Sequence, residues 1–488
     1  MSPQDAVHSA RRAAAPWAAS TFEERAQRCR ALAAALVEDR RAGLDALRAD
    51  VGRSDADSLL TELATLPGYV AGAIQVAKAA LAPERVPLSM LDFPGKKAVI
   101  EAVPRGVVAA ITPWNYPVLQ IVKPVIPALL AGNSVVLKPS PYAPHAAAWF
   151  WRVAAGVLGE GVIVRVEGGA EVGDALIDLV DAVVFTGSVA TGRRVAMRCA
   201  ERLIPCSVEL GGKDAAIVLA DCDLPRTLAG IAFAAFHNAG QDCASIERVI
   251  VVDAVADDLV KGLAAAAGRL RLVTDGVGEV PPMQNDAVAA VVRRHVTEAI
   301  ADGAVLVGGN VPTDRRIPAI VLDRCRPGMA VVDEETFGPV VAVIRVRDAD
   351  AAVEMANASR FGLNGSVWTK DIPAGEALAR RLHVGIALVN NHGFPGVVPQ
   401  IPWTGTGDTG TGVAASRHAY ATFVRRRTIV VDRNSDPDLF WFPGNADLDD
   451  VAERVARLQL GHYSVVFGLL MAVRRRIAAI RSWVTGPN

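Results

Sequence analysis

Cys243 stands in the segment HNAGQDCASIERV, after a Gly-Gln turn and ahead of Arg248 and a strand-like run. A loop cysteine in that setting is expected to be presented rather than buried, and its thiolate is the form that adds to electrophilic carbon. A free cysteine serves equally well as a small core side chain, so the nucleophile reading needs support from other groups. Glu209, in CSVELGGKDAAIVLADCD, precedes two glycines that permit a tight turn. It reads either as a general base or as a surface acid near a strand end. Asn115 lies between prolines in ITPWNYP, where its amide either donates to a developing oxyanion or shapes a turn. Lys138 ends the run SVVLKPS, placing an ammonium at a strand's carboxyl edge for ribose or phosphate, or simply in solvent. FTGSVATGRRV supplies Gly187, Ser188 and Gly192 where a strand passes into a helix, a junction whose backbone amides favour a pyrophosphate.

These residues need a scaffold, and the texture of the chain indicates one. Residues 21–76 carry Leu and Ala at helical spacing with charges between them, which predicts packing helices. From Pro83 onward, strand-like runs at 98–103, 107–111, 134–137, 161–166, 182–185 and 215–218 alternate with apolar helical stretches. That alternation predicts a doubly wound parallel sheet, which binds ligands at the carboxyl ends of its strands. A second α/β stretch from about residue 212 to 405 has strands at 248–252, 340–346 and 386–390, so two large lobes are expected. The 488 residues suit two or three domains. With 51 Lys+Arg against 52 Asp+Glu, a net charge of −1 gives no general attraction for nucleic acid. Six cysteines without a CxxC pair argue against a disulfide scaffold and for a reducing cytoplasm. The first twenty residues lack the apolar core of an export signal.

PWNYP, LKPS, FTGS with its downstream Gly, ELGGKD, GQDC and EETFGPV occur in one order, and in that order the chain resembles the NAD(P)-dependent aldehyde dehydrogenase superfamily from about residue 10 to 432. The resemblance implies an α/β fold with a Rossmann-like doubly wound cofactor domain, a second α/β catalytic domain, a small β oligomerisation arm and a C-terminal helical extension. It divides the chain into 1–95 and 104–211 for the dinucleotide, 212–405 for catalysis, 96–103 and 420–432 for oligomerisation, and 433–488 as the extension. It makes Cys243 the nucleophile, Glu209 the general base and Asn115 an oxyanion donor. Lys138, Ser140, Gly187, Ser188, Gly192, Glu335, Phe337 and Trp114 become the cofactor-binding group, and no metal is implied. The implied reaction takes an aldehyde, NAD(P)⁺ and water to a carboxylic acid. CoA-acylating relatives generally lack the base, so Glu209 favours hydrolysis over that alternative. A catalytically weak homologue acting at a membrane surface or in an assembly is the other.

The chain departs from the family pattern in places. The acidic residue frequent three positions after the lysine is Pro141 here, which removes a carboxylate repelling a 2′-phosphate and leaves NADP open beside the favoured NAD. IPWTGTGDTGTG lacks the lysine and paired glycines of the usual substrate-mouth loop. Asp242 either faces the substrate tunnel, attracting a cationic aminoaldehyde, or caps a turn. Trp114, His392, Phe394 and Trp403 either line the entrance, suiting aromatic or long apolar aldehydes, or pack the core. The family associates through a β arm, here 96–103, and a late strand, here 428–431, so a homodimer or homotetramer is expected. Beyond Asp432, residues 451–484 read as a basic helix whose apolar run of nine residues, 465–473, is too short to span a bilayer. It packs on protein or lies on a membrane surface, which would place a cytoplasmic enzyme at the membrane periphery.

Overall fold

The computed structural model of the chain describes residues 1–89 and 92–486; residues 90, 91, 487 and 488, within the expected spans 1–95 and 433–488, lie outside the described residues. Two compact units are present, one of residues 1–82 and 102–425, the other of 83–101 and 426–488.

The first unit contains two sheets. One is a five-stranded parallel sheet in the order Ile163–Arg165, Ser134–Pro139, Val107–Thr112, Ala182–Thr186, Cys206–Glu209. Every residue of Val107–Thr112 and Ser134–Pro139 is buried, as expected for parallel strands covered on both faces. The chain builds outward from Val107–Thr112 in one direction, then returns to add Ala182–Thr186 on its other side. Strand order therefore reverses between these two neighbours, and a crevice opens beyond their carboxyl ends. The segments leaving those ends are Pro113-Trp114-Asn115 and Gly187-Ser188.

Helices cover this sheet, beginning earlier than residue 21. Helix Pro3–Ala19 buries Ala6, Val7, Ala10, Ala14 and Trp17, a three-and-four spaced stripe, and the Trp17 indole donates to the Leu129 carbonyl at 3.0 Å. Thr21 and Glu24 form a capping box that starts Phe22–Glu38. Helix Pro117–Leu130 follows Asn115 directly, and its first amides are held by a buried carboxylate. Glu62 accepts the N–H groups of Val118 (2.7 Å) and Leu119 (3.0 Å) while pairing with the buried Arg53. The Asn115 turn is thereby pinned to the N-terminal helical layer.

The second sheet runs Val305–Gly308, Ile320–Asp323, Val340–Val346, Ile246–Val252, Asp214–Val218, Asn364–Trp368, Ile386–Val389. It is parallel except at the antiparallel edge strand Val305–Gly308. Three of its strands were not apparent in the sequence. Val305–Gly308 and Ile320–Asp323 are only four residues each. Asn364–Trp368 opens with Asn-Gly-Ser yet is buried throughout; the Asn364 N–H reaches Asp214 Oδ1 (3.0 Å), while its side-chain amide has no partner.

In the second unit, Glu84–Val86, Lys96–Pro104 and Val424–Asp432 form a three-stranded sheet in that order. Lys96 Nζ bridges Asp432 (2.6 Å) and Asp438 (2.8 Å). The tail is two helices, Ala446–Gln459 and Val466–Thr485, rather than one. Val451, Leu458, Leu469 and Ala472 pack between them, and the buried Arg476 donates to the carbonyls of Leu439 (2.9 Å) and Trp441 and to Asn445 Oδ1 (3.0 Å). Part of the basic run thus holds the hairpin together. No helix among the described residues is long and apolar enough to cross a membrane.

Candidate active site

Cys243 lies on the link between helix Leu224–Phe236 and strand Ile246–Val252. The link begins with a turn in which Asn238 (φ 51°) and Ala239 (φ 55°) are both left-handed, a costly conformation for an alanine. Side-chain bonds hold it: Asn238 Nδ2 donates to the carbonyls of Asn115 (3.0 Å) and Gln241 (3.2 Å), and Gln241 Nε2 to the Asn238 carbonyl (3.1 Å). Asn115 Nδ2 completes the set with a 3.1 Å bond to the Gln241 carbonyl. The loop of Cys243 and the turn of Asn115 are thus stitched together.

The exposure expected of the loop cysteine is not observed. Cys243 is only 8% exposed, because the reversal at 238–239 folds the loop inward under strand Ile386–Val389 and Trp403. It nevertheless opens onto cavities on two sides. One, of about 340 Å³, is lined by Leu60, Tyr116, Leu119, Phe233, His237, Asp242, His392, Phe394 and Trp403. The other, of about 230 Å³, is lined by Trp114, Asn115, Thr186, Gly187, Ser188, Glu335 and Phe337. Cys243 and Gln120 belong to the walls of both. Trp114 is accordingly found with the cofactor-side residues and not at the entrance, its ring edge-on to Phe337 at 5.7 Å.

Glu209, at the end of strand Cys206–Glu209, lines a small adjoining space with Gln120, Lys123 and Trp403. Burial raises its carboxyl to about 7, against the opposing charge of Lys123 and the nearby Cys243 thiol and Trp403 indole. One carboxylate oxygen, Oε1, has no partner, and neither has Asn115 Oδ1. Burial also drives the Cys243 thiol well above its ordinary value, reinforced by the negative charges of Glu209 and Asp242. The resting group is therefore a thiol beside a carboxyl poised near neutrality.

The 230 Å³ cavity suits a dinucleotide's reactive end. Gly187 and Ser188 precede helix Val189–Glu201, whose N-cap makes no side-chain cap bond, leaving the first amides available to an anion. Glu335, raised to about 8 chiefly by burial and then by Glu247, accepts the Gly212 N–H at 3.0 Å. Lys138 and Ser140 lie outside that lining: Lys138 Nζ is 3.5 Å from the Pro139 carbonyl, and Ser140 Oγ accepts the Tyr142 N–H at 3.2 Å. Gly192 packs tightly against Leu210; a Cβ there would approach Leu210 Cδ2 to 2.1 Å.

Asp242 lines the larger cavity, and its Oδ1 accepts the Ala244 N–H at 3.1 Å. His392 is fixed between Ser366 Oγ and the Ala244 carbonyl, each at 3.0 Å. Lys123, Tyr116, His237 and Asp57 also surround this site and were not singled out in the sequence. Tyr116 sits within the PWNYP motif, whereas Asp57 has no local signal, being brought in from 180 residues before His237.

A crevice at a strand-order reversal with a buried thiol in its wall is the arrangement of an α/β dinucleotide-binding fold that presents a candidate nucleophile. A profile of the aldehyde dehydrogenase family matches residues 2–429. The chain is 35% identical over 450 residues to 4,4'-diapolycopene aldehyde oxidase of Methylomonas sp, covering 91% of this chain and 84% of the relative. Among solved structures it resembles the Mycobacterium tuberculosis aldehyde dehydrogenase complexed with NAD⁺, with TM-score 0.82, 31% identity, and 88% of this chain and 90% of that one covered. It resembles the NADP-dependent glyceraldehyde-3-phosphate dehydrogenase of Bacillus halodurans complexed with NADP similarly, with TM-score 0.80, 31% identity, and coverage of 88% and 91%. The chain belongs to the aldehyde dehydrogenase family, and its activity is oxidation of an aldehyde to a carboxylic acid with NAD(P)⁺.

Proposed function

We propose that Cys243 carries the acyl group, Glu209 recruits the hydrolytic water and Asn115 steadies the oxyanion. The observation supporting this most is the position of Cys243 in the wall shared by the two cavities, with the charge of Glu209 near enough to raise its thiol. The Cys243 thiolate adds to the aldehyde carbon, and the Asn115 amide and the Cys243 N–H receive the charge that develops on oxygen. Bound NAD(P)⁺ supplies the acceptor for the hydride that leaves this thiohemiacetal. Glu209, near neutrality by burial, then takes a proton from water attacking the thioester. Gly187, Ser188, Glu335, Phe337 and Trp114 are assigned to the dinucleotide. Lys138, Ser140 and Gly192 are assigned to its adenosine portion, beyond the cavity.

The 340 Å³ cavity suits an apolar aldehyde. Leu60, Phe233 and Phe394 are 65%, 62% and 50% exposed and lie in its lining. Asp242 is within hydrogen-bond distance of the Ala244 N–H and the Tyr116 hydroxyl, and Lys123 lies 5.0 Å over the Trp403 ring, so partners within the protein already orient both groups. We assign residues 1–95 and 104–211 to the cofactor domain, 212–405 to the catalytic domain, and 96–103 with 420–432 to association into a homodimer or homotetramer. The extension 433–488 carries exposed Phe467, Leu470 and Met471 and is assigned to a surface contact, with a cytoplasmic location at the membrane periphery.

The test is a screen of aliphatic, aromatic, amino and acidic aldehydes with both dinucleotides, with the product identified in the presence and absence of CoA. Apolar aldehydes giving free acid, and loss of all turnover in Cys243→Ala with dinucleotide binding retained, are expected. Turnover in that variant overturns the assignment of the nucleophile.

A further inference from the structure

The buried thiol must lose its proton before it can attack, and Glu209 is not the one acceptor within reach. Cys243 Sγ lies 3.6 Å from Asp242 Oδ1. Asp242 Oδ2 lies 3.2 Å from the Tyr116 hydroxyl, that hydroxyl 2.9 Å from His237 Nδ1, and His237 Nε2 2.7 Å from Asp57 Oδ1. The line of contacts starts at a buried sulfur and ends at a His–Asp pair whose side chains are 16% and 17% exposed. No part of the acyl chemistry above uses it.

Hydrogen-bond arithmetic fixes what this line can hold. Burial pushes the Asp57 carboxyl up, but the bond and charge of His237, then the charge of Arg53, hold it below its usual value. Asp57 is therefore an acceptor, and His237 Nε2 carries a proton. Tyr116 has one proton for two neighbours. When His237 Nδ1 is bare, the hydroxyl donates to it, and its oxygen can accept only from a protonated Asp242. When Nδ1 carries a proton, the imidazolium donates to the hydroxyl, which donates to ionised Asp242. The two arrangements differ by one proton shifted along each bond. Tyr116 need not ionise in either, which matters because burial and the charge of Asp242 push its phenol well above its usual value.

We propose that Asp242, Tyr116 and His237 form a proton relay that removes the Cys243 proton during activation, with Asp57 as the residue positioning the imidazole. The inference rests on the reading of Cys243 as nucleophile. Starting with His237 Nδ1 bare and the Asp242 proton on Oδ2, the S–H bond breaks as an O–H bond forms on Asp242 Oδ1, the Oδ2 proton passes to the Tyr116 oxygen, and the Tyr116 proton passes to His237 Nδ1. The products are a thiolate and an imidazolium held by Asp57, and no electrons are transferred. Other charged groups face this line: Arg53, 4.8 Å from the Tyr116 ring centre and paired with Glu62, and Lys123, Glu209 and Asp214 around the sulfur. Their charges are common to all the variants below, so differences among those variants report the relay.

The experiment follows alkylation of the full-length enzyme by iodoacetamide from about pH 6 to 10, with the labelled residue identified by mass spectrometry. Tyr116→Phe and Asp57→Asn are compared with the unaltered protein, and His237→Gln replaces either if it fails to bind dinucleotide. In the unaltered protein the reactive thiolate is expected to appear within this range as the relay takes its proton; in the variants alkylation of Cys243 slows by roughly 10-fold near pH 7 and climbs only towards the alkaline end. The midpoint of its pH profile moves upward. A purely structural role would lower the rate alike at every pH. Cys243 labelled with an unmoved midpoint in the variants overturns the relay and leaves the nucleophile standing. Labelling confined to other cysteines while turnover is lost overturns the nucleophile reading itself.

Discussion

Replacing Glu209 by Gln should stabilise the protein while crippling its chemistry, and the size of the first effect follows from the burial of the carboxyl. Glu209 is raised from 4.5 to about 7, chiefly by burial. A carboxyl that holds its proton more tightly when folded contributes fully below its unfolded value, and that contribution fades as pH rises through its folded one. The rise corresponds to about 3 kcal/mol lost once the pH passes about 7. Glutamine keeps the shape without bearing a charge. The variant should therefore unfold at a higher temperature than the parent at about pH 8, by a few degrees at most, and at the same temperature below about pH 4.5. Stopped-flow absorbance of the reduced dinucleotide should show one rapid turnover and then a steady rate lower by roughly 10²–10⁴-fold. Equal unfolding temperatures across the whole pH range would refute the electrostatic reasoning. An unchanged steady rate would refute the role of base.

Lys123→Met removes the positive charge that holds Glu209 down, so Glu209 should rise above about 7 and the acid limb of the kcat profile should shift alkaline; a stationary limb would show that the two groups do not communicate. Gly212→Ala places a Cβ 2.0 Å from the Cys243 carbonyl oxygen, next to the amide that serves Glu335. Displacing the sulfur by about 1 Å should cost roughly 10²-fold in kcat/KM, and a variant of parental activity would show that the loop tolerates the shift.

Much of the scaffold could be read from the sequence because it rests on local pattern. The runs at 107–111, 134–137 and 182–185 are β-branched and apolar, and they lie in strands Val107–Thr112, Ser134–Pro139 and Ala182–Thr186 within a residue or two of their ends. Asn364–Trp368 was illegible because Asn, Gly and Ser are poor strand formers, and only pairing between Asp214–Val218 and Ile386–Val389 makes them a strand. Helix Pro3–Ala19 escaped notice for a related reason: its buried stripe is mostly alanine, and only Trp17 marks the face strongly. The expectation that Cys243 would be exposed failed because two left-handed residues, Asn238 and Ala239, turn the loop inward, and nothing in the local composition signals that turn. Asp57 and Glu62 lie in the N-terminal helical layer, and only folding carries them to His237 and the helix after Asn115.

The sulfur of Cys243 behaves as a doorway between two rooms. With the aldehyde in the larger chamber and the dinucleotide in the smaller, as proposed, neither would have to be threaded past the other to reach it.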